Sequence, residues 1–337
     1  MNFKVRVSCM TFNQSSYIID TMNGFCSQET SFPFVCTIID DASTDGEQET
    51  ILNYVQKNFI SNKGDFYRFE ETEEYIRICS RHKKNVNCYF VVILLKYNHY
   101  SIRKSKRPYF EEWIDVKYIA FCEGDDYWID PIKLQEQVDF LDNHEDVIMC
   151  CGGYKIFVGG TPERDVVFKR NNCSGYTFTL EDNLESWHTK TLTSMIRAKD
   201  ADDYKKNYLK YKYARDTHLY YHLLAKGDGY YFSKIMGVYN VHPGGTFSMA
   251  NSKKNAFIAA NSYRELYEVN NHDKRLKKVL FKWICIVIVD CYLPIKDVLK
   301  EVGYAQKLVQ SVGMEIQLIK STIIWIYRKL RYGTKRV

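Results

Sequence analysis

The stretch Tyr118-Ile119-Ala120-Phe121-Cys122-Glu123-Gly124-Asp125-Asp126-Tyr127-Trp128 runs from an apolar strand straight into adjacent carboxylates. Acids side by side at the end of a buried strand repel each other and lose hydration, so they require a cation or strong donors. Hard carboxylate oxygens suit Mg²⁺ or Mn²⁺ carrying a phosphorylated substrate. Taken alone, a solvated turn followed by a helix cap accounts for the pair as well.

The same pattern recurs upstream. Phe34 to Ile39 is a short β-forming run that ends in Asp40-Asp41-Ala42-Ser43-Thr44-Asp45-Gly46, and Phe3 to Met10 ends in Thr11-Phe12-Asn13. Three apolar runs, each closing in a polar loop that leads into a helix, predict an α/β domain with a mainly parallel central sheet. Ligands of such sheets bind beyond the carboxyl ends of the strands, near a topological switch point. The loops holding Phe12, Asp41 and Asp126 are therefore expected on one rim, laid out as a nucleotide site.

Along the rest of the chain, Ser15 or Ser16 is a candidate cap for a first helix. Glu47 to Phe59 reads as a second, with acids in its first turn. Ser61 to Asn87 reads as a polar insertion with a helix at Glu70 to Arg81. Cys88 to Leu95 is another strand, followed by the basic stretch Arg103-Lys104-Ser105-Lys106-Arg107, a diphosphate contact or a solvated loop. Pro131 to His144 predicts a helix with Pro131 in its first turn. Asp216 starts a helix that stops at Gly227. Tyr230 to Val241 predicts a strand broken at Gly237 and ending in His242-Pro243-Gly244-Gly245. From about Ala256 the pattern is helical.

The 337 residues are 45% hydrophobic, enough for one large domain or two. A net charge of +6, spread along the chain, argues against nucleic acid as the main partner. The 11 cysteines lack paired zinc-type spacings, and several lie in apolar strands, which suggests a reducing cytosol. Met1 leads almost directly into the first strand, so no signal peptide is expected. The best apolar run, Trp283 to Val289, falls far short of the roughly 20 residues a membrane span needs, and reads as a core helix. Ile316 to Val337 holds six Lys/Arg and no acid among several isoleucines. It reads either as an interfacial helix resting on an anionic membrane surface or as a packed C-terminal helix with a solvated basic face.

Taken together, Val5 to Asn13, Ile38 to Gly46, Glu123 to Leu134 and Arg215-Asp216 resemble family 2 glycosyltransferases of the GT-A fold, particularly bacterial enzymes that build surface polysaccharides. The resemblance is strong over 1–145 and looser to 250. It implies a GT-A domain over 1–250, with a nucleotide-binding half at 1–145 and an acceptor half at 146–250. A helical extension that could associate with membrane follows at 251–337.

The resemblance further implies an inverting transfer of sugar from a nucleotide-diphosphate sugar, UDP first, to a hydroxyl of a glycan or lipid-linked acceptor. It places Thr11, Phe12, Asn13, Asp41 and Asp125 at the nucleotide sugar, with Phe12 and Asp41 near the base. Asp126 is the first metal ligand and His242 a second, for Mn²⁺ or Mg²⁺. Glu123 stands where the family's leading acid is Asp, which leaves its part in metal binding open. Asp216 takes the position of the catalytic base, although its usual acidic neighbour is Arg215, and a plain N-cap explains it too. Trp187, His188 and Thr191 fall on the acceptor wall, with core packing or surface placement as the competing uses. The enzyme is expected in the cytoplasm, at most peripheral to the membrane. A sugar-nucleotide nucleotidyltransferase would need a glycine-rich loop that Ser8 to Ser16 lacks. A non-catalytic sugar- or nucleotide-binding module would be expected to have lost the carboxylates that are present.

Overall fold

The computed structural model describes residues 2–61, 66–170, 173–201, 210–212, 214–245, 252–291 and 293–332. They divide into two units: residues 1–183, 187–204 and 220–244 form the first, and 184–186, 205–219 and 245–337 the second.

The first unit is built on one mixed sheet. Its centre is four parallel strands in the order β6 (Tyr118–Phe121), β1 (Val5–Thr11), β2 (Phe34–Asp40), β5 (Cys88–Leu95). The chain steps outward from β1 to β2 to β5 and then returns to the other side of β1 with β6. That reversal puts the switch point, and the crevice expected there, between the carboxyl ends of β1 and β6. Every residue of β2 and of β5 is buried, as continuous apolar runs in a sheet covered on both faces should be. Alternation sorts their side chains into two cores. Cys36, Ile38, Phe90, Val92 and Leu94 pack on one face, and Val35, Ile39, Val91, Ile93 and Leu95 on the other. Each such aliphatic or aromatic side chain contributes about 1.5–3 kcal/mol by leaving water.

On the face that holds Cys36 and Ile38, α1 (Ile18–Cys26), α2 (Glu47–Asn58) and α3 (Lys133–Asn143) follow β1, β2 and the acidic loop. Neither Ser15 nor Ser16 caps α1; the helix starts after Tyr17, with no side-chain cap. The helix expected at Glu70 to Arg81 is instead a hairpin of β3 (Arg68–Glu71) and β4 (Tyr75–Arg81). β4 runs antiparallel along β5, pairing Tyr75 with Leu95 through Arg81 with Tyr89. Beyond β6 the order is β11 (Met195–Arg197), β8 (Met149–Val158), β12 (Gly229–Val241) and β10 (Gly175–Phe178). β12 lies parallel to β8 and is bulged between Phe232 and Gly237. β7 (Tyr127–Trp128) pairs with it directly after the acidic loop, and β9 (Thr161–Val166) pairs with β8. The helices α4 (Leu180–Ser186) and α5 (Asp216–Leu224) fall between β10 and β12 in the chain.

The second unit is helical: α6 (Ser252–Val269), α7 (Leu276–Asp290), α8 (Ile295–Leu308) and α9 (Val312–Tyr332). Leu276, Leu280, Ile284, Val287 and Ile288 of α7 are buried, and Ala256 and Ala260 of α6 pack with Val287. No described helix is long and apolar enough to cross a membrane. The Lys335 and Arg336 of the basic C-terminal stretch, and the expected boundary at 250–251, lie outside the described residues.

Candidate active site

The loops after β1 and β2 are tied into one rim. Asp41 N donates to Thr11 O at 3.0 Å, Asn13 N to Ser43 Oγ at 2.8 Å, and Thr44 N to Asn13 Oδ1 at 2.8 Å. Asn13 and Ala42 both take positive φ, 56° and 63°, which bends the two loops toward each other. The post between them is Glu47, the first residue of α2. Its carboxylate accepts from the Thr11 hydroxyl, from Gln14 N at 2.8 Å and from Ser43 Oγ at 2.8 Å. Burial pushes its pKa up to about 7 in spite of these donors. On this rim Phe12 is 43% exposed.

Asp41 is buried and well supplied. Oδ1 accepts from His99 N at 2.8 Å, Oδ2 from Tyr100 N at 3.0 Å, and Lys106 Nζ lies 2.9 Å from Oδ2. Of the basic stretch after β5, then, Lys106 serves Asp41, and Lys104 pairs with Glu74 at 2.8 Å.

The acidic loop joins the same rim through Gly124 N, which donates to Met10 O at 3.1 Å. Thr21 Oγ1 of α1 holds the loop carbonyls, donating to Gly124 O at 3.0 Å and to Asp126 O at 2.6 Å. Gly124 has no room for a side chain, because a methyl there would overlap Thr11. Asp126 is buried at 2% exposure, and its Oδ1 accepts from Asn240 N at 3.0 Å. Burial, reinforced by Asp125, pushes its pKa well above the carboxylate range. Asn240 Nδ2 also donates to Asp125 O at 2.6 Å. Two residues on, His242 Nε2 lies 3.1 Å from Asp125 Oδ2, and its ring packs on Tyr17 with centroids 4.6 Å apart. β12 thus delivers Asn240 and His242 to the two aspartates. Glu123 shares the crowding: burial and Asp125 raise its pKa to about 7, and its Oε2 is buried with no hydrogen-bond partner.

Lys190 is the local counterweight, and it was not legible as a site residue in the sequence. Its ammonium sits 3.4 Å from the centroid of the Tyr239 ring. Burial acts to lower its pKa, but Tyr239, Asp126 and Glu123 outweigh this and hold it above the ordinary lysine value. Lys190 is set against Asp126 and Glu123, and the raised pKa values of both acids mark a crowding that this one ammonium does not relieve. An oxygen-rich donor set with one imidazole, crowded by like charge and holding an orphaned carboxylate oxygen, fits a hard divalent cation. Among the described residues no three such side chains already form a closed metal cage. An ion that keeps waters and substrate phosphates in its shell needs only one or two protein ligands.

The other candidates are placed as follows. Trp187 ends α4 with φ 36° and meets Tyr220 edge-on. His188 is buried in an aromatic box, stacked on Phe178 at 5.0 Å and flanked by Phe168, Tyr176 and Tyr231. Burial lowers its pKa, so the ring is neutral and spent on packing, which takes it off any acceptor wall. Thr191 lies near enough to Glu123 to offset part of the rise in its pKa, and so belongs to the acidic loop's surroundings. Asp216 belongs to the second unit, at the exposed start of α5, where its Oδ1 accepts from Thr217 N at 2.8 Å.

This architecture has known counterparts. The first 349 residues of S. aureus TarS, a glycosyltransferase solved in complex with UDP-GlcNAc, align with 99% of this chain and 93% of that one, with a TM-score of 0.61 at 15% identity. The same protein in complex with UDP gives 0.57. The chain has the GT-A fold. No family model matches it. Uncharacterized proteins Rv1520 of Mycobacterium tuberculosis and Mb1547 of Mycobacterium bovis are 30% identical over 141 residues, 42% of this chain. The chain spans about a third of the length of these curated relatives, 32% by alignment.

Proposed function

We propose that this GT-A chain is a metal-assisted glycosyltransferase. It would move a sugar from a nucleotide-diphosphate sugar, UDP first, to a hydroxyl of a glycan or lipid-linked acceptor, with inversion. The observation that carries the proposal is the gathering of Asp125, Asp126, Glu123 and His242 at the β1/β6 switch point, on the same rim as Phe12 and Asp41. The UDP and UDP-GlcNAc complexes of TarS support a uridine nucleotide as the donor.

In this reading Phe12 offers its exposed ring to the base. Asp41 is held rigid by His99 N, Tyr100 N and Lys106, so its remaining acceptor capacity has a fixed direction for a base N–H. Asp126, Asp125 and His242 are the residues that would hold Mn²⁺ or Mg²⁺. Bound there, the ion would offset charge on the diphosphate leaving group. Thr21 and Asn240 fix the aspartates so that no reorganisation is needed on binding. Asp216 is the proposed base, drawing the proton from the acceptor hydroxyl. Direct displacement with one base and no covalent intermediate inverts the anomeric centre. Trp187 and Thr191 remain on the proposed acceptor side. Work in surface polysaccharide synthesis at the cytoplasmic face is the setting this chemistry suits.

Incubation with UDP-sugars and Mn²⁺, with free sugar and transfer product followed by NMR, tests the proposal. A product of inverted configuration that disappears in Asp126→Ala supports it. A folded protein that consumes no nucleotide sugar with any metal refutes it.

A further inference from the structure

Helix α9 carries two apolar faces. One is covered within its own unit: Leu318, Ser321 and Trp325 are buried, and Arg328 donates to Val289 O at 2.8 Å and to Asp290 Oδ1 at 3.0 Å. The other is bare. Val312, Ile316, Ile319, Ile323, Ile326 and Leu330 expose 72%, 46%, 54%, 58%, 45% and 82% of their surface. These residues follow one another by four and three positions in strict alternation, the heptad spacing of a coiled-coil seam.

We propose that this stripe is a self-association surface, through which α9 helices from three copies of the chain pack in parallel. Ile316, Ile323 and Leu330 take the first core position of each heptad, and Val312, Ile319 and Ile326 the second. Isoleucine at both positions favours three strands over two. The flanks agree on direction. Glu315 and Lys320 are both exposed and border the seam from opposite sides. In a parallel, in-register coil the residue at Glu315's position meets the one five places further along the neighbouring helix, which is Lys320 of the second copy. The antiparallel arrangement that matches the same apolar layers would instead set Lys320 against its own copy. Because α9 is already folded against α7, association orders no new helix.

A lipid surface is the other occupant such a stripe suggests, and the structure disfavours it. An interfacial helix turns a charged face to water opposite its apolar one. The face of α9 opposite the stripe is buried on its own unit, so the helix has no such water-facing side.

Sedimentation equilibrium of the full chain over a range of concentrations tests this. The expected mass is three times the 39.8 kDa of one chain. The pair Ile319→Lys and Ile323→Lys should lower it threefold with an unchanged far-ultraviolet spectrum. Glu315→Lys should weaken association several-fold, and adding Lys320→Glu should restore it, a check that stands even if the core pair fails to fold. A monomer at every concentration, or a trimer that survives the folded core pair, overturns the proposal. A dimer overturns the three-stranded assignment. A monomer that floats with phosphatidylserine vesicles, but not as the core pair, assigns the stripe to lipid.

Discussion

Replacing Glu47 by glutamine is expected to stabilise this protein at pH 8 and to change it little at pH 5. The carboxylate is fully buried at the start of α2, and burial raises its pKa to about 7 from an ordinary 4.5. An acid whose folded pKa is raised holds its proton longer when folded than when unfolded. Stability is therefore undiminished below about pH 4.5 and falls as pH rises toward 7, staying low above it. A gap of 4.5 to about 7, at roughly 1.4 kcal/mol per unit, sets the cost near 3 kcal/mol at pH 8 and below about 1 kcal/mol at pH 5. Glutamine keeps an oxygen for Gln14 N and Ser43 Oγ, and its amide can donate to the Thr11 hydroxyl once that group turns round. The net gain at pH 8 is expected at about 1–3 kcal/mol, a rise of several degrees in Tm. Thermal unfolding of both proteins at pH 5 and pH 8 reads it directly. A Glu47→Gln protein destabilised equally at both values would refute the reasoning, because Glu47 would then be acting as an anion its donors require.

Other outcomes follow from the same geometry. Gly124→Ala should cost about 1–3 kcal/mol and weaken nucleotide binding, since the methyl displaces Thr11 from Glu47; unchanged affinity in calorimetry would contradict this. Lys190→Met removes the ammonium set against Glu123 and Asp126. The variant should lose about 2 kcal/mol at pH 8, less at pH 5, and regain it with Mn²⁺, as thermal shift would show. Asp216→Asn should abolish transfer while nucleotide affinity stays within about twofold; full turnover would remove the base assignment.

The rim could be read in the sequence because it is written in continuous apolar runs that stop abruptly. Residues 34–39, 88–95 and 118–121 are hydrophobic enough to be strands wherever they lie, and each is followed by polar loop residues. The hairpin at Arg68–Glu71 and Tyr75–Arg81 was misread because its glutamates are good helix formers. The period-two placing of Ile76 and Ile78 gave the true signal, and tertiary pairing with β5 enforced it. Lys190 was hidden for another reason: no spacing rule links it to Asp126, and only the return of the chain beside β6 brings it there. Glu47 was visible as an acid in the first turn of α2, a position that the helix dipole alone explains. Its hold on Thr11, Gln14 and Ser43 depends on two loops meeting. His188 stands in the run Trp187-His188-Thr189-Lys190-Thr191, which the resemblance placed on an acceptor wall and which core packing or surface placement explained equally well. The aromatic box around it draws on Phe168, Tyr176, Phe178 and Tyr231, all distant in that reading.

The measurement that bears most directly on the account is calorimetric titration of the full chain with UDP, GDP, dTDP and CDP, in Mn²⁺ and in EDTA. The account predicts that UDP binds, that EDTA weakens the binding at least tenfold, and that Asp126→Ala loses the metal-dependent part while keeping its fold. A folded protein that binds none of the four nucleotides, or binds one equally well in EDTA and as Asp126→Ala, would contradict a metal-assisted donor site at the β1/β6 switch point.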